Sequence, residues 1–307
     1  MTHRADFIYF TSVHSPTGGQ GLNSSVQDSA SSHIALQSFC VFLRVHLLQF
    51  NIAWKLALVY KGLSPASLLD TYTNERIPVI AEMLDVTTSI HRQTVGKPET
   101  SGTKQGGAES TFESAMARGK NLYMLGVNYR TSPIVIDEFF SAPSAQVHSS
   151  YRAPEDGVLR AGDRAPDAPN LIPVTSTAET SSEESSARLF DTFAPTYHTV
   201  LIFTPSSSAP VVRHVLSVLE EVEKKASEKL VRPLIILPPG SEGAIEVGEE
   251  ILVDHSGHAR SAYAVDKGET KVIVVRPDGV VGAVVRGGEG VGKYFNKIFG
   301  DASVDVQ

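Results

Sequence analysis

Apolar residues in the second half of the chain fall into short runs, rich in β-branched side chains, with polar stretches between them. Runs of this kind predict buried strands, here at Thr199–Phe203, Leu234–Leu237, Ile251–Val253, Lys271–Arg276 and Val280–Arg286. Between the first two runs, residues 210–230 predict a helix. Its apolar stripe is formed at helical spacing by Val211, Val215, Leu219 and Val222. Residues 290–299 predict a closing helix, and Asp278–Gly279 predicts a tight turn between the last two strands.

This order of elements is a strand–helix–strand unit followed by a hairpin and a helix, which is typical of a thioredoxin-like α/β sandwich. A thioredoxin-type redox role needs two cysteines one turn apart. The chain has a single cysteine, Cys40, and it lies outside this part of the sequence. The fold prediction therefore carries no redox chemistry, and no disulfide is expected.

We predict an α/β protein, and composition divides its chain into four segments. Residues 1–92 hold a glycine-rich loop followed by strongly helical sequence. Residues 93–117 are rich in Gly, Ser, Thr and Lys, and predict a flexible loop because they offer little apolar surface to bury. Residues 118–147 become apolar again and are interpreted as a return to the first domain. Residues 151–300 form the second domain.

Charge and hydropathy exclude several classes of partner. A net charge of -7 over 307 residues argues against a nucleic-acid surface, which needs clustered cations. The most apolar stretch, Ile34–Leu48, contains Arg44 and is too short to span a bilayer. The first residues lack the apolar core of a signal peptide. We expect a cytoplasmic protein without a membrane or nucleic-acid partner.

The segment Pro16–Asn23 contains three glycines in four positions, and these let the backbone approach a flat ligand closely. A helix that begins near Leu22 would point free N–H groups and its positive dipole end at an electron-rich carbonyl. By local composition alone, the simpler interpretation is a glycine-rich turn before a helix. The loop becomes informative through the sequence around it.

The run HSPTGGQGLNSSVQDS from His14, followed by FNIAWKLALVYKGLSPASLLDTYTNERIPVIAEM from Phe50, resembles the flavin-dependent aromatic hydroxylases of the phenol 2-monooxygenase group. Further stretches that look like the family follow in the family's order. They comprise Tyr72, Glu75 and Arg76, then Gly126–Arg130, Ala161–Pro166 and Val274–Gly279. The resemblance covers nearly the whole chain from His14 onward, as the C-terminal part of such an enzyme.

The resemblance implies an FAD-dependent monooxygenase that hydroxylates a phenolic or related aromatic compound with NAD(P)H and O2, the difficult chemistry belonging to the cofactor. It implies that the loop faces the isoalloxazine ring, mainly through backbone groups. The residues implied as FAD-binding are Pro16, Gly19, Gly21, Leu22 and Asn23. No catalytic side chain and no metal ligand is assigned. The second domain is implied to support a homodimer.

Two departures from the family bear on activity. No Gly-x-Gly-x-x-Gly of a dinucleotide-binding unit precedes the loop. The family's Gly-Asp pair, whose carboxylate meets the ribityl chain, is matched here by Ile8 and Tyr9. We therefore expect impaired flavin binding in these 307 residues. The alternative hypothesis is an inert fragment that acts as a thioredoxin-like interaction or dimerisation module.

Residues 30–49, from Ala30 to Gln49, interrupt a helix that is continuous in the family. Twenty residues of helix turn by roughly five turns plus 200°, so the insert must loop out or break the helix. Without it, Val26, Trp54 and Tyr60 share one apolar face, and we interpret Trp54 and Tyr60 as core packing. The insert's length is a whole number of codons and its ends can be written as splice sites, so we interpret it as a translated intron. Residues 1–13 are a second candidate for a gene-model error.

Two further patterns resemble sites. Gly287, Gly292 and Lys293 match most of a phosphate-binding loop, but Tyr294 replaces the magnesium-binding hydroxyl, so glycines that open a helix are the favoured interpretation. A second group at a strand end could suggest a metal site or a catalytic triad, and we interpret it as turn residues. It comprises Asp254, His255, Ser256 and His258.

Overall fold

The structure is a computed structural model that describes residues 51–95, 126–140, 149–150, 157–174, 186–241 and 250–300. The helices are α1 (Asn51–Tyr60), α2 (Asp70–Val95), α3 (Pro210–Glu223), α4 (His258–Ala262) and α5 (Gly288–Phe299), with short 3-10 turns at Ala66–Leu69 and Leu189–Thr192. The strands are β1 (Ile136–Asp137), β2 (Leu171–Pro173), β3 (His198–Phe203), β4 (Val231–Leu237), β5 (Glu250–Asp254), β6 (Lys271–Val275) and β7 (Val281–Val285). No helix in these ranges is long and apolar enough to cross a membrane.

All the strands join one mixed sheet in the order β1-β7-β6-β3-β4-β5-β2. β3, β4 and β5 run parallel, whereas β6 is antiparallel to both β3 and β7. In the middle of the sheet, Leu201 of β3 lies between Leu234 of β4 and Ile273 of β6. Every residue of β3 is buried, which explains why the strand is a continuous apolar run rather than an alternating one.

Side chains of β3 alternate between two apolar cores. Val200 and Ile202 face the layer formed by α1, α3 and α5. Leu201 and Phe203 face the opposite layer, where α4 and the loops around Leu189 cover the sheet. The α/β class is therefore confirmed, with helices on one face and mostly loops on the other.

The five predicted strands are present, but helix α3 is shorter than predicted because it ends at Glu223. The Glu223 carboxylate accepts hydrogen bonds from the backbone N–H groups of Leu230 and Val231, 3.0 and 2.6 Å away, and so ties the following turn to the start of β4. β4 includes Pro233, which the sequence interpretation had left outside the strand. The neighbouring strand β5 pairs with β4 only from Leu234 onward, so the missing N–H of proline is tolerated there.

Helix α1 corrects one prediction. Trp54 is buried, as predicted, but Tyr60 is 89% exposed rather than part of the core. The buried residues of α1 are Asn51, Trp54 and Lys55. Six residues turn a helix by about 240° beyond one full turn, so Tyr60 points away from the sheet that buries Trp54.

The predicted domain division is only partly visible. Helix α2 runs to Val95, three residues into the predicted loop 93–117, and the remainder of that loop lies outside the described residues. The segment 126–140 adds β1 to the edge of the sheet beside β7. Trp54 and Leu68 of the predicted first domain pack in the same apolar cluster as α3 and α5 of the predicted second domain. The two predicted domains therefore share a core. The division into domains stays a prediction.

Candidate functional site

The predicted cofactor residues Pro16, Gly19, Gly21, Leu22 and Asn23 lie outside the described residues, as does the insert Ala30–Gln49. The other stretches that resemble the family are described by the structure, and they come together in space. Residues from the Trp54 helix, the Glu75 helix, the 126–130 stretch, the 161–166 stretch and the 274–279 hairpin meet at one buried junction.

Glu75 is the centre of this junction. Its Oε1 accepts hydrogen bonds from Arg276 Nη1 at 2.8 Å and from Ser132 Oγ at 2.6 Å. Its Oε2 accepts from Lys55 Nζ at 2.7 Å, from Arg276 Nη2 at 3.1 Å and from the Asn51 amide. The side chains of Glu75, Lys55 and Arg276 are fully buried. Five donors therefore saturate one carboxylate that water does not reach.

Arg276 lies at the end of β6 and binds two carboxylates at once. Besides Glu75, it pairs with Asp278 through Nε and Nη2, with Nε 3.0 Å from Asp278 Oδ1. Its guanidinium carbon lies 5.2 Å from the centre of the Trp54 ring and 5.6 Å from that of the Tyr129 ring. The Trp54 indole N–H reaches Asp278 Oδ2 at 3.3 Å. The planar fork of arginine, which can also lie against aromatic rings, suits this double pairing.

The four charges of this junction balance. Burial alone would raise the pKa of Glu75, but the charges of Arg276 and Lys55 lower it to about 2. Burial lowers the pKa of Lys55 to about 8, against the opposing charge of Glu75. Burial would also lower the pKa of Arg276, but Asp278 and Glu75 raise it well above its usual value. At neutral pH, two cations therefore face two carboxylates. We call Lys55, Glu75, Arg276 and Asp278 the charge cluster.

His198, the first residue of β3, lies beside the charge cluster in an aromatic enclosure. Its ring centre is 5.3 Å from that of Trp54, 5.8 Å from that of Tyr294 and 5.4 Å from that of Phe295, all near edge-on. Burial, together with the charge of Arg276, lowers the pKa of His198 to about 3. Among the described residues, neither its Nε2 nor the Tyr294 hydroxyl has a hydrogen-bond partner. His198 is therefore a neutral core residue.

Gly162, in the family-like stretch 161–166, occupies a position that only glycine fits. Its φ is +95°, and a Cβ there would lie 2.4 Å from the backbone nitrogen of Arg130. The Tyr129 N–H donates to the Gly162 carbonyl at 2.8 Å, and the Gly162 N–H donates to the Val281 carbonyl at 2.7 Å. The glycine thus lets the 126–130 stretch lie directly on the hairpin that carries Arg276.

The glycines before α5 do not form a phosphate site. Glu138 Oε2 accepts the Arg286 N–H at 2.8 Å, and a Cβ on Gly290 would lie 2.8 Å from Glu138 Oε1. A carboxylate of the protein therefore occupies the start of this helix, where an anion would bind. Lys293 pairs with Glu289 on the same helix at 2.7 Å. The interpretation as helix-opening glycines is confirmed.

Asp254 and the histidines after it are structural. Asp254 is buried, and its Oδ2 accepts the Arg260 N–H at 2.8 Å, which orients α4. His255 and Ser256 lie in the turn, as predicted, whereas His258 begins α4 and is not a turn residue. Within the described ranges, no group of three potential metal ligands comes together.

Comparison with known proteins shows similarity to FAD-binding domains and flavin-dependent monooxygenases. A family model described as an FAD binding domain matches residues 49–87, which include α1 and most of α2. A flavin-dependent monooxygenase of Mycobacteroides abscessus is 32% identical over 203 residues, which are 66% of this chain and 29% of that protein. Pentachlorophenol 4-monooxygenase of Sphingobium chlorophenolicum is 28% identical over 275 residues, which are 88% of this chain and 40% of that protein.

Solved structures show the same fold. The flavin-dependent monooxygenase PieE, in complex with FAD and substrate, aligns over 92% of this chain with a TM-score of 0.56 and 21% identity. Aklavinone-11 hydroxylase, in a ternary complex with FAD and aklavinone, aligns over 93% with a TM-score of 0.54 and 21% identity. The chain spans 44% and 41% of these proteins, so it is less than half as long as the solved relatives it matches.

Proposed function

We propose that this chain is part of an FAD-dependent aromatic-ring hydroxylase, a monooxygenase that hydroxylates a phenolic or related aromatic compound with NAD(P)H and O2; its similarity to flavin-dependent monooxygenases supports this. The observation that carries the proposal is the FAD binding domain match, which falls on the two helices of the charge cluster. The phenolic class follows from the relative named for pentachlorophenol. FAD, when bound, supplies the oxygen activation; the protein supplies position and electrostatics.

The residues proposed to contact the flavin are Pro16, Gly19, Gly21, Leu22 and Asn23. Backbone N–H groups of this loop would face the isoalloxazine, since glycines leave the backbone accessible. The charge cluster is not a second flavin contact, because its donors and acceptors are used by one another inside the core.

The C-terminal unit is proposed to be thioredoxin-like and to support a homodimer in the cytoplasm. The strand order β4-β3-β6-β7, with β6 and β7 antiparallel and α5 closing the unit, supports the thioredoxin-like assignment. The inert-module alternative gains no support from the fold, because α1 shares a core with this unit.

Flavin binding tests the proposal most directly. The purified chain is titrated with FAD and, separately, with riboflavin, and binding is followed by quenching of flavin fluorescence. We expect similar affinity for both ligands, because the loop is proposed to contact only the ring system that they share. NADPH oxidation in air, with and without simple phenols, is then measured at saturating FAD.

The matched variants are Gly19→Val, which should abolish flavin binding, and Thr17→Ser, which should leave it unchanged. A chain that binds neither flavin, or whose binding ignores Gly19→Val, contradicts the proposed role of the loop. A chain that binds no flavin and sediments as a dimer would support the interaction module instead.

A further inference from the structure

The charge cluster joins residues from two parts of the chain. Lys55 and Glu75 lie within the stretch 49–87 that matches the FAD binding domain. Arg276 and Asp278 belong to the β6–β7 turn and lie about two hundred residues further along the chain, 201 residues in the case of Glu75 and Arg276. The interior of the flavin-binding stretch is therefore completed by a guanidinium from outside it.

We propose that Arg276 is a positioning residue of the flavin-binding part of the protein. It acts through Glu75 and Trp54, and holds α1 and α2 in place relative to the sheet. The effect on flavin binding rests on the proposed function, whereas the contacts of Arg276 with Glu75 and Trp54 are seen directly in the structure. It gives the C-terminal unit a role inside the flavin-binding part, apart from any role in dimerisation.

The hydrogen-bond geometry assigns this role to Arg276 rather than to its neighbours. Arg276 is the one member of the charge cluster that contacts both carboxylates, with Nη1 2.8 Å from Glu75 Oε1 and Nε 3.0 Å from Asp278 Oδ1. Lys55 of α1 also binds Glu75, but both residues belong to the same stretch, 49–87, so this pair does not connect α1 and α2 to the sheet. Without Arg276, the cluster would hold one buried cation and two buried carboxylates, which is strongly unfavourable.

The aromatic contacts add a direction to this pairing. The guanidinium lies close to the rings of both Trp54 and Tyr129, so it contacts α1 and the 126–130 stretch at once. Asp278 in turn accepts the Trp54 N–H. A lysine at 276 would keep the charge, but it could not make the four-bond fork, so Arg276→Lys should behave as a partial loss.

Hydrogen exchange of the full chain, read by mass spectrometry of peptides, tests the positioning role. In Arg276→Met, we expect amides of residues 51–89 to exchange faster by about a hundredfold or more, as the loss of a buried ion-pair partner implies. Amides of β3 and β4 should change much less. Arg276→Lys should give an intermediate rate.

A second substitution separates charge pairing from simple packing. Glu75→Gln combined with Arg276→Met leaves one cation and one carboxylate, so the balance of charge is restored. We expect exchange of residues 51–89 in the double variant to be slower than in Arg276→Met. If the double variant exchanges as fast or faster, or if the single variant loses protection evenly over the whole sheet, the positioning role is wrong.

Flavin titration of the same variants connects the junction to function. If the wild-type chain binds FAD, Arg276→Met should weaken binding by about tenfold, a coupling of ordinary size between distinct sites, and the double variant should recover part of it. Unchanged affinity in Arg276→Met would overturn the link to the flavin. A wild-type chain that binds no FAD would overturn the proposed function, whereas the exchange data would still decide whether Arg276 holds the helices.

Discussion

The sheet core and the junction at α1 are both buried, but by side chains of opposite character. On the sheet, Val200, Ile202 and their neighbours are fully buried aliphatic residues that need only matching shapes. At the junction, the four charged side chains of the charge cluster are fully buried. The sheet core should tolerate many apolar substitutions. The junction should tolerate few, because each buried charge needs its own partner.

This difference shows how one chain can combine strength with selectivity. Apolar burial stabilises the sheet but does not distinguish one apolar helix from another. The charge cluster adds little net stability, because pairing in the interior mainly repays the cost of removing charges from water. It penalises any arrangement in which α1, α2 and the β6–β7 turn are not together. The junction therefore specifies which helices cover this end of the sheet.

The largest expected effect is from removing one partner of the cluster. Arg276→Met should lower the free energy of opening the junction around α1 and α2 by about 3–5 kcal/mol, because Glu75 and Asp278 are left with one buried cation between them. Urea denaturation of the full chain, followed by the fluorescence of Trp54, the single tryptophan, measures it. A loss below about 1 kcal/mol, the value of an exposed pair, would remove the contrast between junction and surface.

Gly162→Ala should have the second largest effect, a loss of about 2–3 kcal/mol from backbone strain and a forced shift of its neighbour. Its φ of +95° is unfavourable for alanine, and the new Cβ would lie 2.4 Å from the Arg130 nitrogen. Gly240→Ala is the matched control, since its φ is +77° and nothing lies within 4 Å. Equal losses in the two variants would mean that close approach at Gly162 does not matter.

His198 should make the chain sensitive to mild acid. Its pKa is about 3 in the folded protein against 6.5 in the unfolded chain, so the unfolded state binds the extra proton. Stability that is present above pH 6.5 should fall as pH decreases, by up to about 1.4 kcal/mol per pH unit. Between pH 6.5 and 4.5, the ordinary value for Glu75, this histidine acts before Glu75 contributes.

The control for this prediction is His198→Phe, which keeps an aromatic ring between Trp54, Tyr294 and Phe295. Urea midpoints at several pH values should lose their slope between pH 6.5 and 4.5 in the variant. The same slope in both proteins would assign the acid sensitivity to other groups.

The smallest effect belongs to the surface. Glu289 and Lys293 pair at 2.7 Å on α5, but their side chains are 80% and 59% exposed. Water screens such a pair, so Lys293→Gln should leave the urea midpoint unchanged within error. A clear shift in the urea midpoint would mean that this exposed ion pair contributes to stability as a buried one does, and would contradict the contrast between surface and junction.

Much of the sheet could be predicted from local pattern. The five central strands and the two helices α3 and α5 follow from runs and stripes of apolar residues, whose spacing depends only on neighbours along the chain. The end of α3 and the inclusion of Pro233 in β4 could not be predicted. The first depends on hydrogen bonds that Glu223 accepts from the backbone at the start of β4, and the second on where β5 begins to pair with β4.

The junction shows the limit of local pattern more clearly. Lys55, Glu75 and Arg276 lie in the family-like stretches, and the charge of Lys55 within the largely apolar α1 was the available local signal. Which cation meets which carboxylate could not be read, because Glu75 and Arg276 are 201 residues apart. The misplaced Tyr60 has the same origin, since the face of α1 that is buried is chosen by what it packs against.

The sequence by itself determined the class of fold, five strands of the sheet and the resemblance to flavin-dependent hydroxylases, because periodicity and motifs are properties of neighbouring residues. The tertiary structure alone decided that α1 and α2 pack against the C-terminal unit and that Arg276 completes the junction between them. Burial of charge is tolerable only where every partner is present at once. That condition is met by the folded chain and by no segment of it.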